Sequence, residues 1–145
     1  LGDPFDQATT MGTMVFEEHL QSVLHYIDIG KAEGAKLVTG GKRARLDIYP
    51  KALAIEPTVF SEVESDMMIA REEIFGPVVT FHTWSTEYEM LGAVKLLDFG
   101  LAAGIWTENL GRAHRTAQAV EAGRVWINCY NLFPSGSSFG GTKAS

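Results

Sequence analysis

The chain has 145 residues, of which 46% are hydrophobic and 21% are charged, a composition typical of globular rather than disordered proteins. A formal net charge of −6 argues against nucleic-acid binding, which requires clustered cationic side chains to neutralise phosphates. No apolar run reaches the length of a membrane span and no signal peptide opens the chain, so we expect no membrane association and a cytoplasmic location. We expect a single domain over residues 1–145.

One helix and two strands are predicted in the first half of the chain. Apolar residues recur at helical spacing over Phe16–Glu33, and Gly34 is the expected stop. Strands are predicted over Ala35–Thr39 and Leu53–Phe60. The connection between them, which contains Arg43–Pro50, has no periodic pattern and is assigned as a loop.

The second half alternates predicted strands and helices. Its strands are Val78–Trp84, Ala102–Thr107 and Arg124–Asn128, and its helices are Thr86–Leu97 and Asn109–Ala122. Because consecutive strands that are joined by crossover helices pair in parallel, the pattern predicts an α/β fold with an open, mostly parallel sheet. Trp106 and Trp126 fall in these strands and are expected to pack within the core or the sheet.

The segment Arg71–Val78 combines two adjacent carboxylates, a large aromatic ring and a Gly-Pro turn. Pro77 lacks a backbone donor and restricts the residue before it, so any preceding helix ends here and Phe75 is held at a bend. The local pattern alone favours a surface corner with a core Phe over a segment that presents its side chains to a ligand.

A second region of interest follows the last predicted strand. Ligands of open α/β sheets lie beyond the carboxyl ends of the strands, which here means the loop Cys129–Gly141. This loop combines bulky apolar residues with turn-forming residues, unlike a connection that only faces water. On pattern alone, Phe133 and Phe139 are about equally compatible with plugging the edge of the core and with lining a ligand site.

The histidines and the single cysteine show no catalytic or metal-binding pattern. Cys129 can form no internal disulfide, and the neighbouring residues supply no base to activate its thiol, so we expect a structural role. His19, His25, His82 and His114 lack metal-ligand spacing with Cys or acidic residues, and we predict no metal site.

Short motifs follow one another along nearly the whole chain. They are Leu1–Asp6 with Met11-Gly12, Ile29–Ala35 with Gly40-Gly41, Glu56–Phe60, Arg71–Val78, Phe99–Gly104, Glu121–Gly123 with Val125–Asn128, and Phe139–Ser145. In this order they resemble motifs of the NAD(P)-dependent aldehyde dehydrogenase family, among them EEIFGP, EPTVF and FGG-x-K-x-S. A string of ordered matches is far more specific than one motif.

The resemblance implies roles for the two regions described above. It places Glu73 on the hydroxyls of the nicotinamide ribose and Phe75 against the nicotinamide ring of NAD or NADP, with Glu72 solvated or ion-paired. It places Phe133 and Phe139 in the tunnel through which the aldehyde enters. An apolar tunnel suits an uncharged aldehyde, whereas a substrate with a carboxylate would require a cation that the loop does not provide.

The resemblance also implies a reaction for which this chain supplies only part. In the family, a thiolate attacks the aldehyde, hydride passes to NAD(P)+ and water releases the carboxylic acid. The motifs with the nucleophilic Cys and the general-base Glu lie upstream of the first segment matched here, and no glycine-rich phosphate loop occurs either. We therefore expect a fragment of a homo-oligomeric enzyme, with no catalytic residue of its own and inactive alone. The alternative is a non-catalytic assembly or binding module of the same fold.

Lys95 and Leu96 stand where the family has an Asn-Asp pair, just before the Phe99–Gly104 motif. Asn and Asp can cap a helix end with their side chains, and Lys and Leu cannot form the same hydrogen bonds. The end of the predicted helix Thr86–Leu97 is therefore expected to lack these local caps.

Overall fold

The computed structural model describes residues 1–145 and contains two compact units, Leu1–Thr83 and Trp84–Ser145. Both units combine helices with strands, which confirms the predicted α/β class. The expected count of one domain stays a prediction. No helix combines the length and the apolar character that crossing a membrane requires.

The elements are numbered in chain order. The first unit contains α1 (Glu17–Ala32), β1 (Lys36–Thr39), β2 (Arg43–Ala44), β3 (Ala54–Ile55), β4 (Thr58–Ser61), α2 (Met68–Arg71) and β5 (Val78–Thr80). The second unit contains α3 (Glu87–Lys95), β6 (Phe99–Gly100), β7 (Ala102–Ile105), α4 (Leu110–Ala119), β8 (Arg124–Ile127) and β9 (Thr142–Lys143).

Helix α1 forms one wall of the core of the first unit. Leu20, Val23 and Ile27 recur at helical spacing on one face and are fully buried, as is Phe60 of β4. The chain leaves the helix through Gly34, whose φ of +98° is a left-handed geometry that glycine adopts without strain. The predicted helix and its stop are thus confirmed.

The three-stranded sheet of the first unit has the order β1-β4-β5, with β1 antiparallel and β5 parallel to β4. The single strand predicted over Leu53–Phe60 is instead divided into β3 and β4, because Pro57 has no N–H to donate to a ladder. The loop prediction for Arg43–Pro50 is wrong at its start, where β2 pairs with β3. Two residues are too few to produce a recognisable period, and their partner strand is distant in sequence.

The second unit contains the parallel pair β7–β8, and α4 is the connection between its strands. The Thr86 side chain caps α3 by accepting from the Glu89 N–H, and the Asn109 side chain caps α4 by accepting from the Arg112 N–H. Parallel pairing is therefore confirmed for this crossover, whereas β5 pairs with β4 inside the first unit. A short antiparallel ladder of β6 with β9 was not predicted by any sequence pattern.

Thr58 provides a test of the polar contacts in the core of the first unit. Its hydroxyl donates to the Glu56 carbonyl at 2.8 Å and accepts from the Gly41 N–H at 2.8 Å, and the residue is 1% exposed. Thr58→Val keeps the shape but leaves the Gly41 N–H without its acceptor. The free energy of unfolding, measured by urea titration, is expected to fall by about 2 kcal/mol. Thr39→Val, at an exposed position of β1, is the control and should change it by less than about 0.5 kcal/mol.

Equal losses in the two Thr→Val variants would contradict this role of the Thr58 hydroxyl.

Candidate functional site

Helix α1 fixes the acidic-aromatic corner, which we define as Arg71–Val78. The His19 ring donates from Nε2 to the Phe75 carbonyl at 2.7 Å, so this nitrogen carries the proton. Next to this contact, a Cβ on Gly76 would come within 2.7 Å of both methyl groups of Val23, which is itself fully buried. His19 and Val23 are one turn apart on α1, so both contact the same segment. Position 76 must remain glycine for the corner to approach the helix this closely.

The two carboxylates of the corner have different surroundings. The Tyr26 hydroxyl, one turn further along α1, donates to Glu72 Oε2 at 2.7 Å. This hydrogen bond, with smaller effects of burial and of the Glu72 charge, raises the pKa of Tyr26. The resulting stabilisation is fully present below the ordinary tyrosine pKa of about 10 and is lost as the pH rises through the raised value. Both carboxylates are exposed, but Glu73 takes part in no ion pair and is not hydrogen-bonded to Tyr26, so its oxygens are free to accept from a ligand.

Phe75 occupies a strained backbone conformation with its ring in solvent. Its φ of 55° lies in the left-handed region, which costs a bulky residue about 1–3 kcal/mol. The hydrogen bond from His19 holds the Phe75 carbonyl. Two residues later, just before β5, the Pro77 carbonyl accepts from the Thr58 N–H at 2.9 Å. The side chain is 75% exposed. The pattern-based expectation of a core Phe is therefore wrong, because the bend turns the ring outward.

The aromatic loop, defined as Cys129–Gly141, is tied to the carboxyl ends of β7 and β8. The Asn128 side chain accepts from the Thr107 N–H at 2.9 Å and donates to the Thr107 carbonyl at 3.0 Å, which joins the residues that follow the two strands. Trp126 is buried, as predicted, and its Nε1 donates to the Leu132 carbonyl at 2.9 Å. The loop thus begins at the strand edge where open α/β sheets bind ligands.

Phe133 and Phe139 lie edge to face, with ring centroids 5.5 Å apart, and are 50% and 60% exposed. The guanidinium of Arg124, at the start of β8, lies over both rings at 4.9 Å and 5.9 Å from their centroids. The loop itself contains no cation, but Arg124 brings one to its rings. The sequence pattern places this residue in a strand and gives no indication of its contacts with the loop.

Arg124 is also hydrogen-bonded to the backbone of the aromatic loop. Its guanidinium donates to the Ser137 hydroxyl at 3.0 Å, to the Ser138 carbonyl and, at 3.5 Å, to the Leu132 carbonyl. Apart from Lys143, Arg124 is the only Lys or Arg beyond Arg115, and it lies close in sequence to four aromatic residues. That proximity is the signal that could have identified it.

The far end of the aromatic loop returns to β8 and to helix α3. A Cβ on Gly123 would overlap the Gly140 carbonyl, so the close approach of the two segments requires glycine. The Lys143 ammonium donates to the carbonyls of Lys95 and Leu97 at 3.2 Å and 2.8 Å. The end of α3, which lacks the Asn-Asp caps of the family, is therefore capped by a side chain from β9.

Cys129 and Trp106 are the remaining side chains for which the sequence predicts a role. Cys129 is a free, half-buried thiol, and no group of three His, Cys, Asp or Glu side chains is arranged to bind a metal ion. Trp106 is 64% exposed, with its ring centroid 6.1 Å from that of Tyr130. Its predicted packing within the core or the sheet is wrong, because β7 ends at Ile105.

Phe75→Gly tests the backbone strain of the corner. Glycine accepts a φ of 55° without cost, and little burial is lost with an exposed ring, so the free energy of unfolding should stay unchanged or rise by up to about 1 kcal/mol. The control is Phe81→Gly, at an exposed position outside the positive-φ residues, which should lose about 1 kcal/mol. Urea titration of both variants gives the comparison. Similar losses in the two would mean that Phe75 is not strained.

Comparison with known proteins identifies the family of this chain. A family model described as the aldehyde dehydrogenase family matches residues 1–145. Betaine aldehyde dehydrogenases of Brucella anthropi and Agrobacterium fabrum are each 48% identical over 145 residues, which is 100% of this chain but 30% and 29% of those proteins. The chain thus spans about 30% of the length of the curated relatives it matches.

Solved structures agree with the sequence relatives. An indole-3-acetaldehyde dehydrogenase of P. syringae, in complex with NAD+ and IAA, is 43% identical with a TM-score of 0.92 over 98% of this chain and 28% of that chain. An NAD+ complex of aldehyde dehydrogenase from Bacillus cereus is 42% identical with a TM-score of 0.88, covering 95% of this chain and 27% of that chain. Since the family match extends over every residue described above, the chain belongs to the aldehyde dehydrogenase family.

Proposed function

We propose that this chain is part of an NAD(P)-dependent aldehyde dehydrogenase that oxidises an aldehyde to a carboxylic acid. The observation that carries the proposal is the acidic-aromatic corner, where helix α1 fixes the backbone while the Glu73 carboxylate and the Phe75 ring stay exposed. A fixed backbone with free functional groups is what a binding site for a rigid cofactor requires. NAD+ complexes among the solved relatives support the choice of cofactor.

Both exposed groups of the corner fit a nicotinamide nucleotide. A carboxylate can accept hydrogen bonds from two ribose hydroxyls, and Glu73 has no ion-pair partner within the chain that would compete. The Phe75 ring is a flat apolar surface that limits where the nicotinamide can swing. When bound, the cofactor accepts a hydride. The contribution of these two side chains is to position it.

The aromatic loop supplies the proposed contacts to the aldehyde. Phe133 and Phe139 present half-exposed apolar rings that are held by each other, by Trp126 and by the Arg124 anchors. Such surfaces bind an apolar substrate tail by burying it, and they orient it through their edge-to-face arrangement. The nucleophile, the base and the oxyanion donors would come from outside the matched motifs, so the chain alone is expected to be inactive.

The homo-oligomeric state and the cytoplasmic location remain predictions of the same proposal. Oligomer formation is compatible with the many large apolar side chains at the surface, among them Phe5, which is 92% exposed.

Glu73→Gln in the complete enzyme tests the cofactor contact. An amide accepts weaker hydrogen bonds than a carboxylate, so the KM for NAD+ should rise roughly 10- to 100-fold, the range expected for loss of a charge-assisted hydrogen bond. Glu72→Gln is the matched control. Its carboxylate is already used by Tyr26, so the KM should change by less than about threefold. Initial rates of NADH formation at varied NAD+ give both values.

An equal effect of the two Glu→Gln variants would remove Glu73 from the cofactor site. Complete enzyme that is folded but neither binds NAD+ nor oxidises any aldehyde would support the non-catalytic module instead.

A further inference from the structure

The Arg124 side chain places a positive charge over the rings of the aromatic loop. The Arg124 guanidinium lies 4.9 Å from the Phe133 centroid, 5.9 Å from the Phe139 centroid and 5.9 Å from the Trp126 centroid. It is thus positioned against the faces of both rings that the proposed function assigns to the aldehyde. Arg124 is half-buried, so its charge is less screened by water than that of a surface arginine.

Aromatic rings of this kind can attract cationic ligands. A quaternary ammonium group binds best where several ring faces converge, because each ring presents the negative face of its quadrupole. In this chain the Arg124 guanidinium is already bound to these ring faces. A second cation near Phe133 and Phe139 would meet rings that are already engaged and a positive charge beside them.

Arg124 cannot easily leave the rings to admit another cation. Its donors are directed at the Ser137 hydroxyl and at the carbonyls of Ser138 and Leu132, all within the aromatic loop. Moving the guanidinium would exchange these hydrogen bonds for hydrogen bonds to water and would also lose its contacts with the rings of Trp126, Phe133 and Phe139. The positive charge therefore stays beside the rings. The N–H groups of the guanidinium donate to the loop itself and are not available to bind a substrate carboxylate.

From this geometry we infer that Arg124 makes the aldehyde site select against cationic substrates and in favour of uncharged ones. The inference rests on the proposed function, because it names the substrate class of the same site. It predicts a substrate preference unlike the one in the names of the relatives at 48% identity, which are betaine aldehyde dehydrogenases, since betaine aldehyde carries a quaternary ammonium group. Arg124 is thus a specificity-determining residue of the aromatic loop.

The test compares two aldehydes that differ in charge but not in shape. Betaine aldehyde and 3,3-dimethylbutanal are isosteric, with nitrogen in one replaced by carbon in the other. The kcat/KM of the complete enzyme is measured with both, and the ratio of the neutral to the cationic substrate is compared between variants. Differences in aldehyde hydration are the same for every variant and cancel in this comparison.

Arg124→Gln should lower the ratio by roughly 10- to 100-fold, because it removes the positive charge. Arg124→Lys keeps the charge and should leave the ratio within about threefold of the wild-type value, even if the loss of loop hydrogen bonds lowers both rates. Damage to the loop alone would reduce both substrates alike and would leave the ratio unchanged. An unchanged ratio in Arg124→Gln overturns the inference.

A measurement on the wild-type enzyme covers the case in which Arg124→Gln does not fold. Choline and 3,3-dimethylbutanol form a second isosteric pair, and each is used as an inhibitor of 3,3-dimethylbutanal oxidation. The neutral alcohol should bind at least about tenfold more tightly than choline. Equal or tighter binding of choline overturns the inference.

The two proposals fail in different ways. No NADH formation with any aldehyde contradicts the proposed function, and the inference falls with it. Oxidation of both aldehydes with no charge selection by Arg124 contradicts the inference alone.

Discussion

The burial of Val23 links the core of the first unit to its candidate site. Val23 is fully buried among the core residues of α1 and β4, and its two methyl groups also lie against position 76 of the acidic-aromatic corner. The same side chain therefore contributes to the hydrophobic stabilisation of the unit and sets how closely the corner approaches the helix. His19 and Tyr26, on either side along α1, add directed hydrogen bonds to this contact. Packing brings the corner to the helix, and the polar contacts fix its orientation.

The second unit positions its aromatic loop by a different means. There the fixed point is a charged group, Arg124, whose guanidinium contacts the rings of Phe133 and Phe139 and also donates to the loop backbone. Because one side chain makes both kinds of contact, the conformation of the loop and the charge of its surface are coupled. A substitution at Arg124 changes both, and the charge-conserving variant is needed to separate them.

Local chemistry made much of the fold predictable from sequence. Helix α1 has a clear apolar period and a glycine stop, and the helices predicted to begin at Thr86 and Asn109 do begin there, with these two residues as N-caps. The errors arise where an outcome depends on distant residues. The strand β2 exists because β3 pairs with it, and Pro57 divides a run whose hydrophobicity suggested one strand.

The candidate site was predictable in the same uneven way. Sequence motifs led to Glu73, Phe75, Phe133 and Phe139, whose roles remain proposals. Nothing local indicated that the Glu72 carboxylate would be used by Tyr26, which lies far from it in sequence. Lys143 replaces the missing caps of α3 because β9, which contains it, pairs with β6. No periodicity in the sequence indicates this ladder.

The left-handed backbone of Phe75 has a consequence for the energetics of recognition. Its conformational cost is incurred during folding, so it is already present in every unliganded molecule. A planar ligand that stacks on the ring encounters a backbone that is already fixed and does not have to order the bend. Binding at this position would then carry a smaller entropic penalty. The cost appears instead as a lower stability of the folded protein towards heat.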